Sequence, residues 1–186
     1  MAYKAPIDES KLVSDLKEPS TAQQAFRTLM ETFGEQLYWI IRKMVASHDD
    51  ANDLVQQSFM KVWTNIHNFR GDAKLSTWLY KIAVNEAINF INKEKQRNSI
   101  VGPEDSYLMS TLESDPYFDG DELQLKLQKA ILALPEKQRL VFNMRYYDEM
   151  KYEEISEVLG TSVGALKASY HHALKKVTAA IEAEDI

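Results

Sequence analysis

The chain predicts an all-α protein built from two small helical domains. Three observations carry that reading. Apolar residues recur at three- and four-residue spacing along most of the 186 residues. Six glycines and few β-branched runs leave little from which to build a large sheet. One stretch past the midpoint, rich in Pro, Gly, Ser and acids, interrupts the helical pattern and marks a linker.

Taken in order, residues 1–19 read as a mobile N-terminal arm with a short helix at 10–16. Ser20 opens a capping box with Gln23. A helix then runs to Val45, with Ala25, Phe26, Leu29, Met30, Phe33, Leu37, Ile40, Ile41 and Met44 inside. Gly34 is expected to bend or split it. In the next helix Ala51, Val55, Phe59, Val62 and Ile66 share an apolar face, and Asp53, Gln56, Gln57 and Met60 lie opposite. Asp49, Asp50 and Asp53 near its start complement the helix dipole. That acidic end serves equally as a solvated cap or as a partner-binding face.

A loop with the turn Phe69-Arg70-Gly71 follows. Ser76 or Thr77 is the expected N-cap of the next helix, which turns Leu79, Ile82 and Ala83 inward, with Phe90 and Ile91 further along. Its outward stripe holds Lys81, Asn85, Asn89 and Asn92, and its end is basic, with Lys93 and Arg97. The linker, 98–122, carries seven acids and no lysine or arginine. Helices are then expected at 123–134, stopped by Pro135, at 136–146, at 152–159, and from Val163 onward. The last of these turns Leu166, Tyr170, Leu174, Val177 and Ile181 inward; the tail, 183–186, is acidic.

Whole-chain properties bound the function. The formal net charge is −6, but its distribution matters more. Residues 1–97 carry 13 Lys and Arg against 12 acids, and residues 124–186 carry 9 against 9. The acidic excess is confined to the linker, so neither helical half repels a polyanion as a whole. There is no cysteine, which removes disulfides, thiolate metal sites and a cysteine nucleophile. The N-terminus is polar and does not resemble a signal peptide. No apolar run approaches the roughly 20 residues of a membrane span, so no membrane insertion and a cytoplasmic location are expected. His48, His67, His171 and His172 form no catalytic or metal constellation, and no Gly-rich phosphate loop appears. Neither an enzyme nor a cofactor is expected.

Two constellations point to nucleic acid. Residues 151–176 have the form of a helix-turn-helix: a short helix, Gly160-Thr161-Ser162, then a longer helix. Gly160 suits the left-handed turn and Ser162 the N-cap. Ser162, Gly164, Ala165, Lys167 and Ala168 are small or basic, which lets the helix enter a major groove about 12 Å wide. Lys167, His171, Lys175 and Lys176 offer contacts to phosphates or base edges. The other constellation is the asparagine stripe. Asparagine is a poor helix former, so three on one stripe need a reason. Asn85 either braces the adjoining loop or reads an unstacked base; taken alone, these residues favour the brace. Trp63 and Trp78 are read as core residues.

The ordered set DDANDLVQQSFMKVW, FRGDAKLSTWLYKIAVN and LPEKQRLVFNMRYYDEMKYEEISEVLGTSVGALK resembles the extracytoplasmic-function (ECF) sigma factors of bacteria. The resemblance covers about residues 20–97 and 123–178. It implies sigma region two at 20–97, an acidic linker at 98–122 that follows the RNA path of the polymerase, and sigma region four at 123–182. The implied partners are core RNA polymerase, through the β′ clamp helices and the β flap, promoter DNA, and an anti-sigma factor.

By position, Asp50, Asp53, Gln56, Gln57 and Met60 match the polymerase-docking face. Phe69, Arg70, Lys81, Asn85, Asn89, Lys93 and Arg97 match the minus-ten surface, which favours base capture over bracing for Asn85. Ser162, Gly164, Ala165, Lys167, Ala168, His171 and Lys175 match the minus-thirty-five reader. Three positions depart: Ser169 stands where arginine is common, Gln57 where an acid is, and Asn89 where aspartate is. The rival reading is a stand-alone dimeric helix-turn-helix regulator, which leaves the asparagine stripe and the loop unexplained.

Overall fold

In a computed structural model of the protein, residues 7–98, 111–112 and 122–183 are described. They form eight α-helices and one 3-10 turn, with no strand among the described residues. In chain order these are α1 (Glu9–Lys17), α2 (Ala22–Val45), α3 (His48–Asn65), the 3-10 turn Ile66–Asn68, and α4 (Leu75–Asn98). After the linker come α5 (Glu122–Leu132), α6 (Glu136–Tyr146), α7 (Tyr152–Leu159) and α8 (Val163–Ala183). The all-α expectation holds.

The N-terminal stretch departs from the expected mobile arm. Asp8 caps α1 by accepting from the Lys11 N–H at 3.0 Å. Leu12 and Leu16 are buried in the core, so α1 is packed onto the bundle from residue 9 onward. The expected capping box of Ser20 and Gln23 does not form. Thr21 stands at the N-cap of α2 without a side-chain cap bond, and the Ser20 hydroxyl donates to Glu18 instead. Residue 34 does not split the helix: α2 runs unbroken through Gly34.

The first bundle is held by leucines and small residues at helical spacing. Leu29, Leu37 and Ile41 of α2 meet Ala51 and Val62 of α3 and Leu79, Ala83 and Ala87 of α4, all fully or almost fully buried. Each large aliphatic side chain withdrawn this way contributes about 1.5–3 kcal/mol. Ser47 caps α3 by accepting from the Asp50 N–H at 3.2 Å. Met30, expected inside, is exposed at the edge of this bundle.

The second half packs α5, α6 and α8 around Ile131, Leu134, Phe142, Ala173 and Val177. Pro135 ends one helix and stands at the N-cap of the next, as a residue with fixed φ and no N–H can. Leu174, expected inward, is exposed, because Ala173 takes the buried position beside it.

The two halves share one core. Leu140, Val141 and Met144 of α6 and Ile155 and Val158 of α7 join the cluster built on α2, α3 and α4. Polar contacts flank the seam: Lys43 pairs with Asp148 at 2.5 Å, Asn143 Nδ2 donates to the Lys43 carbonyl at 3.4 Å, and Lys74 pairs with Glu154 at 3.4 Å. Of the acidic linker only residues 98, 111, 112 and 122 are described, and the expectation for the rest lies outside the described residues. Leu112 is 2% exposed, against Ala46 and Leu132.

Candidate nucleic-acid interface

Three surfaces hold the residues singled out from the sequence. On α3, Asp53, Gln56, Gln57 and Met60 are all exposed on one side of a helix whose other side is core. Asp50 is half-buried, and desolvation pushes its carboxyl above the ordinary range, with the Ser47 bond opposing. Sequence periodicity missed part of this face. Trp63, read as core, is 45% exposed; its ring lies against Phe26 with centroids 4.9 Å apart. With Met60, 67% exposed, it adds apolar area beside the polar row. The signal was available in the spacing, since Met60 and Trp63 are three apart on the outward stripe.

The second surface is the loop from Phe69 to Lys74 with the outward stripe of α4. Phe69 is 8% exposed, and its ring lies tilted against half-buried Trp78 at 5.1 Å. The ring therefore shapes the loop from beneath, while Arg70 projects into solvent. Gly71 has φ +80, a conformation that glycine adopts without strain. Loop and helix together line a cavity of about 320 Å³, with Arg70, Asp72, Thr77, Trp78 and Lys81 in its wall. Glu157 of α7 closes one side of it.

Lys81, Asn85, Asn89 and Lys93 are exposed along α4, and Arg97 pairs with Glu94 at 2.9 Å. Among the described residues Asn85 makes no hydrogen bond to the loop, so the brace has no support in the geometry. One ion pair was not foreseen: Glu86, buried on the inner side of α4, meets the exposed Lys61 of α3 at 2.5 Å.

The third surface is the helix-turn-helix. Gly160 adopts φ 62 and ψ 30, the left-handed cap that ends α7. The Ser162 hydroxyl accepts from the Ala165 N–H at 3.4 Å. Ser162, Gly164, Ala165, Lys167, Ala168, His171 and Lys175 are all exposed, whereas Leu166, Ala173 and Val177 of the same helix are buried. Nothing stands within 4 Å of where a Gly164 Cβ would be, so the start of α8 is open to close approach. The Lys167 ammonium sits 5.7 Å from the centre of the Tyr152 ring, within cation–π range.

Glu154, which caps α7, accepts from the Lys151 N–H at 3.0 Å. That bond and the nearby Lys74 ammonium hold its carboxyl below the ordinary range, against a smaller opposing effect of desolvation. His48 is locked in place: Asn52 Nδ2 lies 3.0 Å from its Nε2, and Tyr38 Oη 2.8 Å from its Nδ1. No group of three or more potential metal ligands occurs among the described residues. No helix among them is long and apolar enough to cross a membrane.

Comparison with known proteins converges on one family. Residues 29–97 match the family model for sigma-70 region 2, and residues 124–177 that for sigma-70 region 4. The chain is 32% identical over 158 residues to the ECF RNA polymerase sigma factor SigW of Bacillus subtilis, covering 80% of this chain and 84% of that one. It is 28% identical over 171 residues to the RNA polymerase sigma factor SigV of the same organism, covering 92% and 99%. Two solved structures share the fold. The sigma factor RpoE of Bartonella quintana, in complex with the anti-sigma factor NepR, aligns with a TM-score of 0.66 at 20% identity, over 84% of this chain and 96% of that one. CnrH, in complex with the cytosolic domain of CnrY, aligns with a TM-score of 0.69 at 20% identity, over 94% and 97%.

Proposed function

The chain belongs to the ECF sigma factors of the sigma-70 family, and on that premise we propose how its surfaces divide the work of transcription initiation. A sigma factor binds core RNA polymerase, directs it to promoter DNA and initiates transcription. In the proposed division, residues 20–97 dock the polymerase and open the minus-ten element, and residues 123–182 read the minus-thirty-five element. The α3 face of Asp50, Asp53, Gln56, Gln57 and Met60, widened by Trp63, receives the β′ clamp helices. Exposed apolar area beside a polar row suits such a contact.

On the second surface, Arg70 and the stripe of Lys81, Asn85, Asn89, Lys93 and Arg97 take the non-template strand. The observation that carries this is the exposed stripe whose first residue, Lys81, stands with Arg70 in the wall of the loop cavity. Lysines meet phosphate there, and an asparagine with free amide groups can hydrogen-bond a base edge. Unstacking a base costs a few kcal/mol, which docking on polymerase offsets. Phe69 contributes by holding the loop rather than by stacking on DNA. On the third surface, the open start of α8 enters the major groove and Lys175 contacts phosphate. The acidic linker follows the RNA path.

The packed arrangement of the two halves is a resting one in this reading. Glu157 borders the cavity and Glu154 pairs with Lys74, so carboxylates stand where DNA phosphates must come. A dedicated anti-sigma protein, of the kind that accompanies RpoE, is the proposed regulator. The chain acts in the cytoplasm on a stress or signal regulon, and the chemistry of RNA synthesis belongs to the polymerase.

The test is retention of purified core polymerase by the immobilised chain and by Asp53→Arg. Retention by the wild type that falls at least tenfold with the substitution supports the α3 face as the docking site. Equal retention by both removes that face from the contact.

A further inference from the structure

We infer that α1 is a splint for the base-capturing loop, and that Glu9 and Lys17 are positioning residues for minus-ten recognition. The inference rests on the reading of residues 69–74 as that loop, and it extends the site to an element with no expected role in it.

The loop has little to order it from within. Arg70, Gly71, Asp72 and Lys74 are exposed. Its internal ion pair, Arg70 to Asp72 at 3.6 Å, joins two side chains more than four-fifths exposed, and such pairs contribute little. A loop that must hold a base in one geometry needs its ends fixed.

Helix α1 fixes both ends. At the entrance, Lys17 Nζ donates to the Phe69 carbonyl at 2.6 Å. At the exit, Glu9 Oε2 accepts from the Leu75 N–H at 2.6 Å and from the Ser76 N–H at 3.4 Å. These are among the first N–H groups of α4, which have no partner within the helix. The expected N-cap, Ser76 or Thr77, lies inside α4, and the cap comes instead from a carboxylate 66 residues upstream. A negative charge there also complements the helix dipole.

The two grips are eight residues apart on a continuous helix, a span of about 12 Å. Leu12 and Leu16, buried between them, anchor α1 to the bundle. The spacing of Phe69 from Leu75 is thereby set by a rigid rod. A second cavity, about 750 Å³, lies on this side of the loop, lined by Ile7, Glu9, Val13, Phe69, Gly71 and Leu75. Neither Glu9 nor Lys17 lines the cavity that holds Lys81. Both act on DNA only through the loop, from its other side.

The experiment uses holoenzyme reconstituted with core polymerase. The probe is a single-stranded minus-ten oligonucleotide selected by wild-type holoenzyme from a randomised pool, with a scrambled oligonucleotide beside it. Variants are Glu9→Ala, Lys17→Met, the conservative Glu9→Gln and Lys17→Arg, and Asn85→Ala to test the loop reading itself. Melting curves and core retention are recorded for each.

Glu9→Ala and Lys17→Met are expected to lose at least tenfold in affinity for the selected oligonucleotide and to lose preference over the scrambled one, with core retention unchanged. Glu9→Gln and Lys17→Arg should recover most of both. If Asn85→Ala weakens binding while both α1 variants bind and discriminate as the wild type does, the splint is wrong and the loop reading stands. If all three leave binding unchanged, the loop reading fails and takes the inference with it. An equal loss for selected and scrambled oligonucleotides overturns the positioning role. Lys17→Met keeps its apolar stem, so it carries the test if Glu9→Ala does not fold.

Discussion

Lys43 and Asp148 form a 2.5 Å ion pair that ties α2 to the turn after α6, across 105 residues of sequence. The pair does not make the Asp148 carboxylate comfortable. Desolvation raises its pKa despite the Lys43 bond and charge, and its Oδ2 has no hydrogen-bond partner. A carboxyl whose folded pKa is raised binds its proton more tightly in the folded state. Its effect on stability is therefore most favourable below the ordinary aspartate value, about 3.9. It is lost as pH rises from there through the folded value.

Asp148→Asn is accordingly expected to keep stability at pH 7 within about 1 kcal/mol of wild type, or to raise it, and to flatten the pH dependence above pH ~4. Lys43→Met leaves the carboxylate buried without its partner and should cost about 3 kcal/mol at pH 7, less as pH falls. Urea unfolding at pH 4, 5.5 and 7 measures both. A large loss for Asp148→Asn at pH 7 would show the pair to be net stabilising.

Glu149 sits two residues before the start of α7's cap and has φ 51, a left-handed conformation that costs a side-chain-bearing residue about 1 kcal/mol or more. It is exposed, so little packing is lost on truncation. Glu149→Gly should raise the melting temperature by about 2–4 °C. Gly160→Ala, at φ 62 with nothing within 4 Å of the added Cβ, should lower it by a similar amount. The two shifts of opposite sign, read by calorimetry, separate backbone strain from contact effects.

Leu16 is 2% exposed between α1 and the bundle. Leu16→Ala should cost about 2–4 kcal/mol, as a buried leucine does when the site cannot collapse. An N-terminal arm that is mobile would lose almost nothing, so a urea midpoint unchanged from wild type would undo the packing of α1 described above.

Legibility followed how local each cause is. The bounds of α6 and α7 and the start of α8 were readable, because Pro135, Gly160 and Ser162 act on their immediate neighbours. The N-cap of α4 was not, because Glu9 reaches it from another helix. Periodicity assigns Met30 and Leu174 to apolar faces, and Trp63 reads as core, but a residue is buried only where another element covers it, and that is a tertiary fact. In the candidate site the exposed row on α8 and the asparagine stripe followed from helical spacing alone. The bracing of the loop by α1 and the approach of Glu157 depended on contacts between residues far apart in sequence.

Lys175 lies on the exposed side of α8, four residues beyond His171 and away from the open start of the helix. In the proposed reading, a cation in that position contacts phosphate rather than a base edge. Lys175→Ala should weaken promoter binding by the holoenzyme to a similar degree on every sequence. It should also reduce the slope of log affinity against log salt by about 1, because one fewer counterion is displaced. Lys167, at the open start that the proposal places in the major groove and already near the Tyr152 ring, should behave differently. Lys167→Ala is expected to relax discrimination at one or two base positions, by about 1–3 kcal/mol each. Binding measured across a salt series on a set of single-base minus-thirty-five variants separates the two. A Lys175→Ala variant that alters base preference without changing the salt slope would reverse the assignment and turn the groove-facing side of α8 toward its C-terminal half.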